Sequence, residues 1–257
     1  VPPSKGEQEA IAGALNDTDA LIESLEQLLA KKRLIKQGAV QQLLTGKKRM
    51  KGFSGSWPIR SMSELTDLPI QNGVFNEPAR KGRGCKLINV SDLYMATPID
   101  TSLLELFDAD NGEVQRFGVS HGDIFFTRSS LTPEGIAHCN VYKASSQETL
   151  LFDCHLIRTR PNLKKVDPFF LFRYCVSAPA RKYLVTNAKT TTMTTIDQSV
   201  VANMPIPVPE LKEQNAIAEI LAAMDAEIVA LESKLTKARG IKHGMMQELL
   251  MGRVRLQ

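Results

Sequence analysis

Glu7-Gln8-Glu9-Ala10-Ile11-Ala12, near the start of the chain, returns as Glu213-Gln214-Asn215-Ala216-Ile217-Ala218 near its end. Working outward from these segments, residues 3–49 and 209–255 align without a gap at a constant offset of 206, and 23 of the 47 positions are identical. Roughly three identities would arise by chance at ordinary composition, so this is a true internal repeat. Leu25-Glu26, Ile35-Lys36, Gly38, Gln41, Leu43-Leu44 and Gly46 recur as Leu231-Glu232, Ile241-Lys242, Gly244, Gln247, Leu249-Leu250 and Gly252. About 150 residues between the copies are not repeated.

Each copy carries a mainly apolar series in steps of four and three. In the first these are Ile11, Leu15, Thr18, Ile22, Leu25, Leu29 and Lys32; in the second, Ile217, Leu221, Met224, Ile228, Leu231, Leu235 and Ala238. That spacing is a heptad seam and predicts a coiled coil; two amphipathic helices lying on a central domain are the plainer alternative. About 40 helical residues reach ~60 Å, well beyond a domain of ~15 Å radius of gyration. Because the chain enters the unique region by one helix and leaves by the other, antiparallel packing is the simplest expectation. The expected organisation is helix copy 1 over 1–50, a unique domain over 51–209 and helix copy 2 over 210–257.

Composition sets further bounds. The net charge of +4 is mild, so overall balance alone does not announce nucleic acid. Four unevenly spaced cysteines and no signal peptide predict reduced thiols and a cytoplasmic protein. No apolar run approaches the roughly 18 residues of a membrane span. The first residue is Val, and Pro2-Pro3 resembles the proline run before the second helix, so the chain is expected to begin inside a longer architecture.

Charge is unevenly distributed along the chain. Residues 27–63 contain no acid but hold Lys31, Lys32, Arg33, Lys36, Lys47, Lys48, Arg49, Lys51 and Arg60. The helix dipole accounts for part of this gradient; the run beyond Gly46 exceeds it and predicts a basic surface facing a polyanion. From Trp57 to Pro209 there are 16 bases and 15 acids, yet Arg80, Lys81, Arg83 and Lys86 cluster ahead of six acids. Eight bases then face the single acid Asp167 over residues 158–189. Such segregation predicts one polyanion-facing side, against the plainer reading of a solvated basic face.

The unique domain opens at Trp57-Pro58 and closes at Met204-Pro205-Ile206-Pro207-Val208-Pro209, where alternating prolines force an extended run. Strands are predicted over 85–90, 123–127, 136–142 and 150–159, with a hairpin turn at 144–148. Asp167-Pro168 predicts a helix through 172–176, and Pro179 a second. The fold class is α+β: one mixed domain flanked by two long repeated helices in an antiparallel coiled coil.

Catalytic motifs are missing. Gly46-Lys47 lacks the upstream glycine of a phosphate loop, and Gly82-x-Gly84 is too short for a dinucleotide fingerprint. Asp167-Pro168-Phe169-Phe170 is only superficially like an amino-methyltransferase signature. His138-Cys139 and Cys154-His155 would face each other across the predicted hairpin, but neighbouring side chains in a strand point to opposite faces. Cross-strand pairs therefore fit better than a zinc site, and no metal is expected. His121 and His243 have no catalytic partner at a recognisable spacing.

The repeated motifs resemble a known family. Pro3-x-x-x-Glu7-Gln8-x-x-Ile11-Ala12, Leu25-Glu26, Lys31-Lys32, Ile35-Lys36-Gln37-Gly38, Gln41-Gln42-Leu43-Leu44-Thr45-Gly46 and Gly52-Phe53-x-Gly55-x-Trp57 closely resemble the central conserved region of Type I restriction–modification specificity subunits. The second copy resembles their distal conserved region. Gly122-Asp123-Ile124-Phe125-Phe126-Thr127-Arg128-Ser129-Ser130 and Thr190-Thr191-Thr192 more loosely resemble a target recognition domain. The resemblance implies a non-catalytic subunit that binds double-stranded DNA and two adenine-N6 methyltransferase subunits. The restriction subunit would join through that complex, and S-adenosylmethionine and ATP would belong to the partners. Family members usually carry two recognition domains; one here implies a half-size or partial subunit.

Arg128, Ser129 and Ser130 are the first base-reading candidates, because forked donors and small hydroxyls suit base edges. Lys189, Thr190, Thr191 and Thr192 come second; Arg80, Lys81, Arg83, Lys47 and Lys48 are expected on phosphates. One recognition domain and a seam needing cover predict a homodimer through the helices, reading inverted half-sites. The rival class is a coiled-coil adaptor with no DNA binding of its own.

Overall fold

The computed structural model describes residues 4–95, 97–144, 148–251 and 253–254. Its helices are α1 (Lys5–Leu43), α2 (Asn111–Phe117), α3 (Pro168–Cys175), α4 (Ala178–Thr186), α5 (Gln198–Ala202) and α6 (Leu211–Leu250). The strands are β1 (Ile59–Ser61), β2 (Gln71–Asn72), β3 (Lys81–Ile88), β4 (Glu105–Phe107), β5 (Ile124–Thr127) and β6 (Ser129–Ser130). They continue as β7 (Cys139–Val141), β8 (Leu150–Phe152), β9 (Leu156–Thr159), β10 (Lys189–Thr190), β11 (Thr194–Thr195) and β12 (Pro205–Pro207). The chain divides into two compact units, residues 1–39 with 219–257 and residues 40–218.

The first unit is an antiparallel helix pair. Leu29 packs with Leu231 and Leu235, flanked by Ile22, Leu25 and Ile228. These six form three repeat-related pairs, Ile22/Ile228, Leu25/Leu231 and Leu29/Leu235, so the cluster sits on a local pseudo-twofold axis. The ion pairs obey the same axis. Arg33–Glu232 and Arg239–Glu26, both 2.6 Å, are one interaction made twice; so are Lys36–Asp225 and Lys242–Asp19. Ile11, Leu221 and Ala238 are buried, and Leu15 and Met224 half-buried, so the heptad seam predicted from sequence is covered within one chain. The seam does not need a second copy to cover it.

The second unit holds the sheets. Ile59 pairs with Pro207, Arg60 with Ile206 and Ser61 with Pro205 in an antiparallel β1–β12 ladder. The segments that open and close the unique region thus run side by side, and the prolines, lacking an N–H, occupy an edge. A four-stranded sheet orders β2-β9-β5-β7 and a three-stranded one β4-β3-β8. Between them Phe125, Phe152, Ile88, Leu93, Leu150 and Leu156 form the main core, and Val74, Leu87, Phe107 and Leu151 a second. α3 starts where Asp167 and Pro168 predict, with the Asp167 carboxylate accepting the Phe170 N–H at 2.7 Å.

The predicted hairpin at 144–148 is not one. Residues 145–147 lie outside the described residues, and the flanking strands part company: β7 pairs with β5, while β8 runs parallel to β3. The expected strand over 150–159 is broken by a turn into β8 and β9. Cys139 therefore opposes Phe126 rather than Cys154, and His138 stacks on Tyr94 with ring centroids 4.1 Å apart rather than facing His155. The cross-strand pairing of these residues is overturned. Burial pushes the Cys139 thiol up to about 12.

The first turn of the second helix copy belongs to this unit. The Glu213 carboxylate, fully buried, accepts from Arg49 Nε at 2.9 Å, from the Met50 N–H at 3.3 Å and from Trp57 Nε1 at 3.2 Å. Burial pushes its pKa up, but Arg49, the Met50 N–H and Trp57 together hold it below the ordinary 4.5. Buried Gln214 accepts the Asp167 N–H at 2.8 Å and donates to the Pro209 and Lys165 carbonyls. Gly46, at φ +69°, turns the chain after α1, and a Cβ there would meet the Trp57 ring at 3.3 Å.

Candidate nucleic-acid interface

Two stretches about 60 residues apart come together on the small sheet β10-β11-β6. Ser129 pairs with Thr195 and Ser130 with Thr194, while Lys189 pairs with Thr195 and Thr190 with Thr194. Side chains directly across a ladder share a face and alternate along each strand. Lys189, Thr195 and Ser129 therefore form one row, and Thr190, Thr194 and Ser130 the other. Thr194 is buried and its hydroxyl lies 3.1 Å from that of Thr190. The Ser130 hydroxyl accepts the Thr132 N–H at 3.2 Å. The row carrying Lys189, Thr195 and Ser129 is the better presented of the two.

Arg128 links this sheet to the core. Its N–H donates to the His155 carbonyl at 2.9 Å and its carbonyl accepts the Ile196 N–H at 3.0 Å. The side chain is exposed and makes no ion pair among the described residues. It shares a cleft of about 360 Å³ with Lys189, Thr195, Asn72, Asn187 and Gln198. Gln198 donates its amide to Asn72 Oδ1, and Asn72 donates to the Cys154 and Leu156 carbonyls at 2.8 and 3.0 Å. Asp197 lies 3.7 Å from Lys189. The Ser199 hydroxyl, then the Val200 N–H, hold the Asp197 carboxyl below the usual range. The cleft thus combines two cations, amide forks and hydroxyls, a set suited to base edges and phosphates. Thr195, Asn72 and Gln198 were not candidates from sequence. Thr195 could have been found as the end of a β-prone threonine run, but single amides give no sequence signal.

The other basic clusters fare differently. Arg80 pairs with Glu113, Lys81 with Glu105, Arg83 with Asp108 and Lys86 with Glu148. Charges segregated along the sequence are neutralised in space, so this cluster is no free basic face, and Arg80, Lys81 and Arg83 have acids where phosphates were expected. Arg158 is buried, with Nη1 on the Gly118 carbonyl at 3.0 Å and its guanidinium 5.1 Å from the Phe152 ring. Arg160 holds buried Asp123 at 2.7 Å. Lys32, Arg33 and Lys36 pair across the coil. Lys47 and Lys48 are exposed and make no ion pair among the described residues.

Asp153, Cys154 and His155 bring their ligand atoms within 4.8 Å of one another. The grouping is a turn: the Asp153 carboxylate accepts the His155 N–H at 2.6 Å and lies 2.7 Å from its Nδ1. Burial, then the Asp153 charge, push the Cys154 thiol up, which opposes metal ligation by a thiolate. A larger cavity, about 730 Å³, is lined by Arg49, Trp57, Arg60 and Lys165 and contains none of the base-reading candidates. Among the described residues no helix is long and apolar enough to cross a membrane.

A mixed α+β unit and an antiparallel pair of repeated helices have counterparts among solved specificity subunits. Residues 113–238 match the model of the Type I restriction modification DNA specificity domain, and the chain is similar to Type I specificity subunits. It is 26% identical to the Type I restriction enzyme EcoKI specificity subunit of Escherichia coli, over 96% of this chain and 55% of that protein. It is 25% identical to the MjaVIII specificity subunit of Methanocaldococcus jannaschii, over 100% of this chain and 62% of that one. Its fold matches the HsdS subunit from Thermoanaerobacter tengcongensis (TM-score 0.63, 14% identity, covering 96% of this chain and 57% of that one). It also matches the S subunit from M. genitalium (TM-score 0.57, 12% identity, 96% and 61%). The chain spans a little over half the length of the curated relatives it matches.

Proposed function

We propose that this chain is a non-catalytic DNA-recognition subunit of a Type I restriction–modification methyltransferase, acting in the cytoplasm. Its recognition unit reads a short half-site in double-stranded DNA, and its helices recruit the methyltransferase subunits. The observation that carries the reading is the meeting of Arg128 and Ser129 with Lys189 and Thr195 at one exposed sheet and cleft. That sheet lies inside the stretch matching the specificity-domain model. S-adenosylmethionine and ATP belong to the partner subunits, and the restriction subunit joins through the methyltransferase. Lys47 and Lys48 supply sequence-independent phosphate contacts.

Two chains pair to give two recognition heads and a palindromic site. Since each coil covers its own seam, pairing through the helices uses their outer faces. Light scattering with and without the methyltransferase partner tests this: one specificity chain per complex, or a non-palindromic methylated site, would sink it.

For readout, Arg128→Ala is expected to lose about 1–3 kcal/mol of discrimination between the selected site and random duplex. Lys47→Ala is expected to weaken both alike and lower the salt slope by about one unit. Quantitative duplex binding at several salt concentrations decides it. Equal weakening of both duplexes by Arg128→Ala would remove Arg128 from base reading.

A further inference from the structure

Beyond the last ladder pair of the small sheet, Ser130 with Thr194, each strand carries one large apolar residue. Leu131 is 84% exposed and Met193 39% exposed. A single exposed leucine needs no explanation, but these two follow in register at the same end of one sheet. Both stand at the end of the sheet that carries Lys189, Thr195 and Ser129.

Both lie in turns pinned by local hydrogen bonds. The Thr132 N–H donates to the Ser130 hydroxyl at 3.2 Å just after Leu131, and the Thr191 N–H donates to the Met193 carbonyl at 3.1 Å. A Cβ on Gly135 would approach the Ser130 hydroxyl to 2.4 Å, so the loop beyond Leu131 packs closely behind the strand. The apolar side chains are thus held out on fixed backbone beside the two cations, Arg128 and Lys189, that favour a polyanion.

We propose that Leu131 and Met193 form an apolar wedge that enters a base step of the bound duplex, at the tip of the sheet that reads it. The assignment rests on the DNA-recognition reading above. Leu and Met are among the side chains that partly unstack and kink DNA when inserted between base pairs, and the unstacking is repaid by added contact. A thymine methyl, by contrast, is already matched by small groups such as a threonine methyl, which Thr195 offers on the same sheet. Two long apolar side chains reach further than that contact needs.

The test uses the full chain and the duplex it selects from a random-sequence pool, with 2-aminopurine placed at each position in turn. Binding is expected to raise fluorescence at one step. Leu131→Ala and Met193→Ala should each reduce that rise and weaken binding, Leu131→Ala by about tenfold. The salt slope should be unchanged, because no cation is removed, and Leu131→Met should retain the signal. Specific binding with no fluorescent step, or a step that survives both alanine variants, overturns the wedge while leaving DNA recognition standing. Sensitivity to replacing one thymine by deoxyuridine, without unstacking, overturns it in favour of a methyl contact. A chain that selects no duplex removes the recognition reading and the wedge with it.

Discussion

Glu213-Gln214 and Glu7-Gln8 are the same dipeptide at the same heptad phase in the two helix copies, yet their surroundings differ. In α6 both side chains are fully buried and hold Arg49, Trp57 and the backbone at Met50, Lys165, Asp167 and Pro209. In α1 Glu7 is half-buried and Gln8 exposed. Midway along the coil the copies become interchangeable again, with Leu29 and Leu235 facing across the pseudo-twofold. Helix propensity and charge are shared by both copies, so the difference comes from tertiary context alone. A repeated residue has no fixed energetic value.

The sharpest way to break this comparison is at the acid. Glu213→Ala is expected to cost about 3–5 kcal/mol, as for removing one partner of a buried ion pair, while Glu7→Ala costs no more than about 1 kcal/mol, as for a solvent-accessible interaction. Urea denaturation of the full chain measures both, and similar losses would abolish the distinction. The pH dependence sharpens it. Because the folded-state pKa of Glu213 is depressed, its contribution is fully present above the unfolded value of 4.5 and is lost as pH falls through the folded value. The stability gap between the unaltered chain and Glu213→Gln should therefore be constant near neutrality and shrink below about pH 4.5. A gap that widens on acidification would contradict the assigned sign.

In the coil the expected result is equality. Leu29→Ala and Leu235→Ala should each cost about 2–3 kcal/mol, at the lower end for buried leucines because only two helices enclose them. A difference above about 1 kcal/mol would show that the pseudo-twofold is not energetic. At the amide, Gln214→Ala should cost about 1–2 kcal/mol by stranding the buried groups it satisfies, against within about 0.5 kcal/mol for Gln8→Ala. Smallest are the mirrored ion pairs. Double-mutant cycles on Arg33–Glu232 and Arg239–Glu26 should give couplings of about 0.2–1 kcal/mol each, matching one another and falling with salt.

The coil was legible because its determinants are local: a heptad is visible within twenty residues, and the repeat supplies an independent second reading. The cap of α3 was legible for the same reason, since Asp167 and Pro168 act within one turn. The sheets were not. Their strands run two to eight residues, and Ser129 finds its partner Thr195 far along the chain, a pairing that periodicity cannot reveal. Sequence proximity predicts Leu150 in a hairpin with the strand just before it, whereas it joins Lys86 in parallel. Charge misled in the same manner, because Arg80 and Glu113 are separated in sequence but bound in space. Residue type marks Arg128 and Lys189 only separately; the fold brings them to one cleft.

The backbone at Arg128 is stitched on both sides, to His155 through its N–H and to Ile196 through its carbonyl, while the side chain stands free in solvent. Position 128 is therefore held by atoms that every residue except proline possesses. What the chain presents there can be exchanged with little risk to the fold beneath it. On the proposed reading of DNA by Arg128, selection for a new sequence rewrites this position one codon at a time, with the scaffold inherited intact.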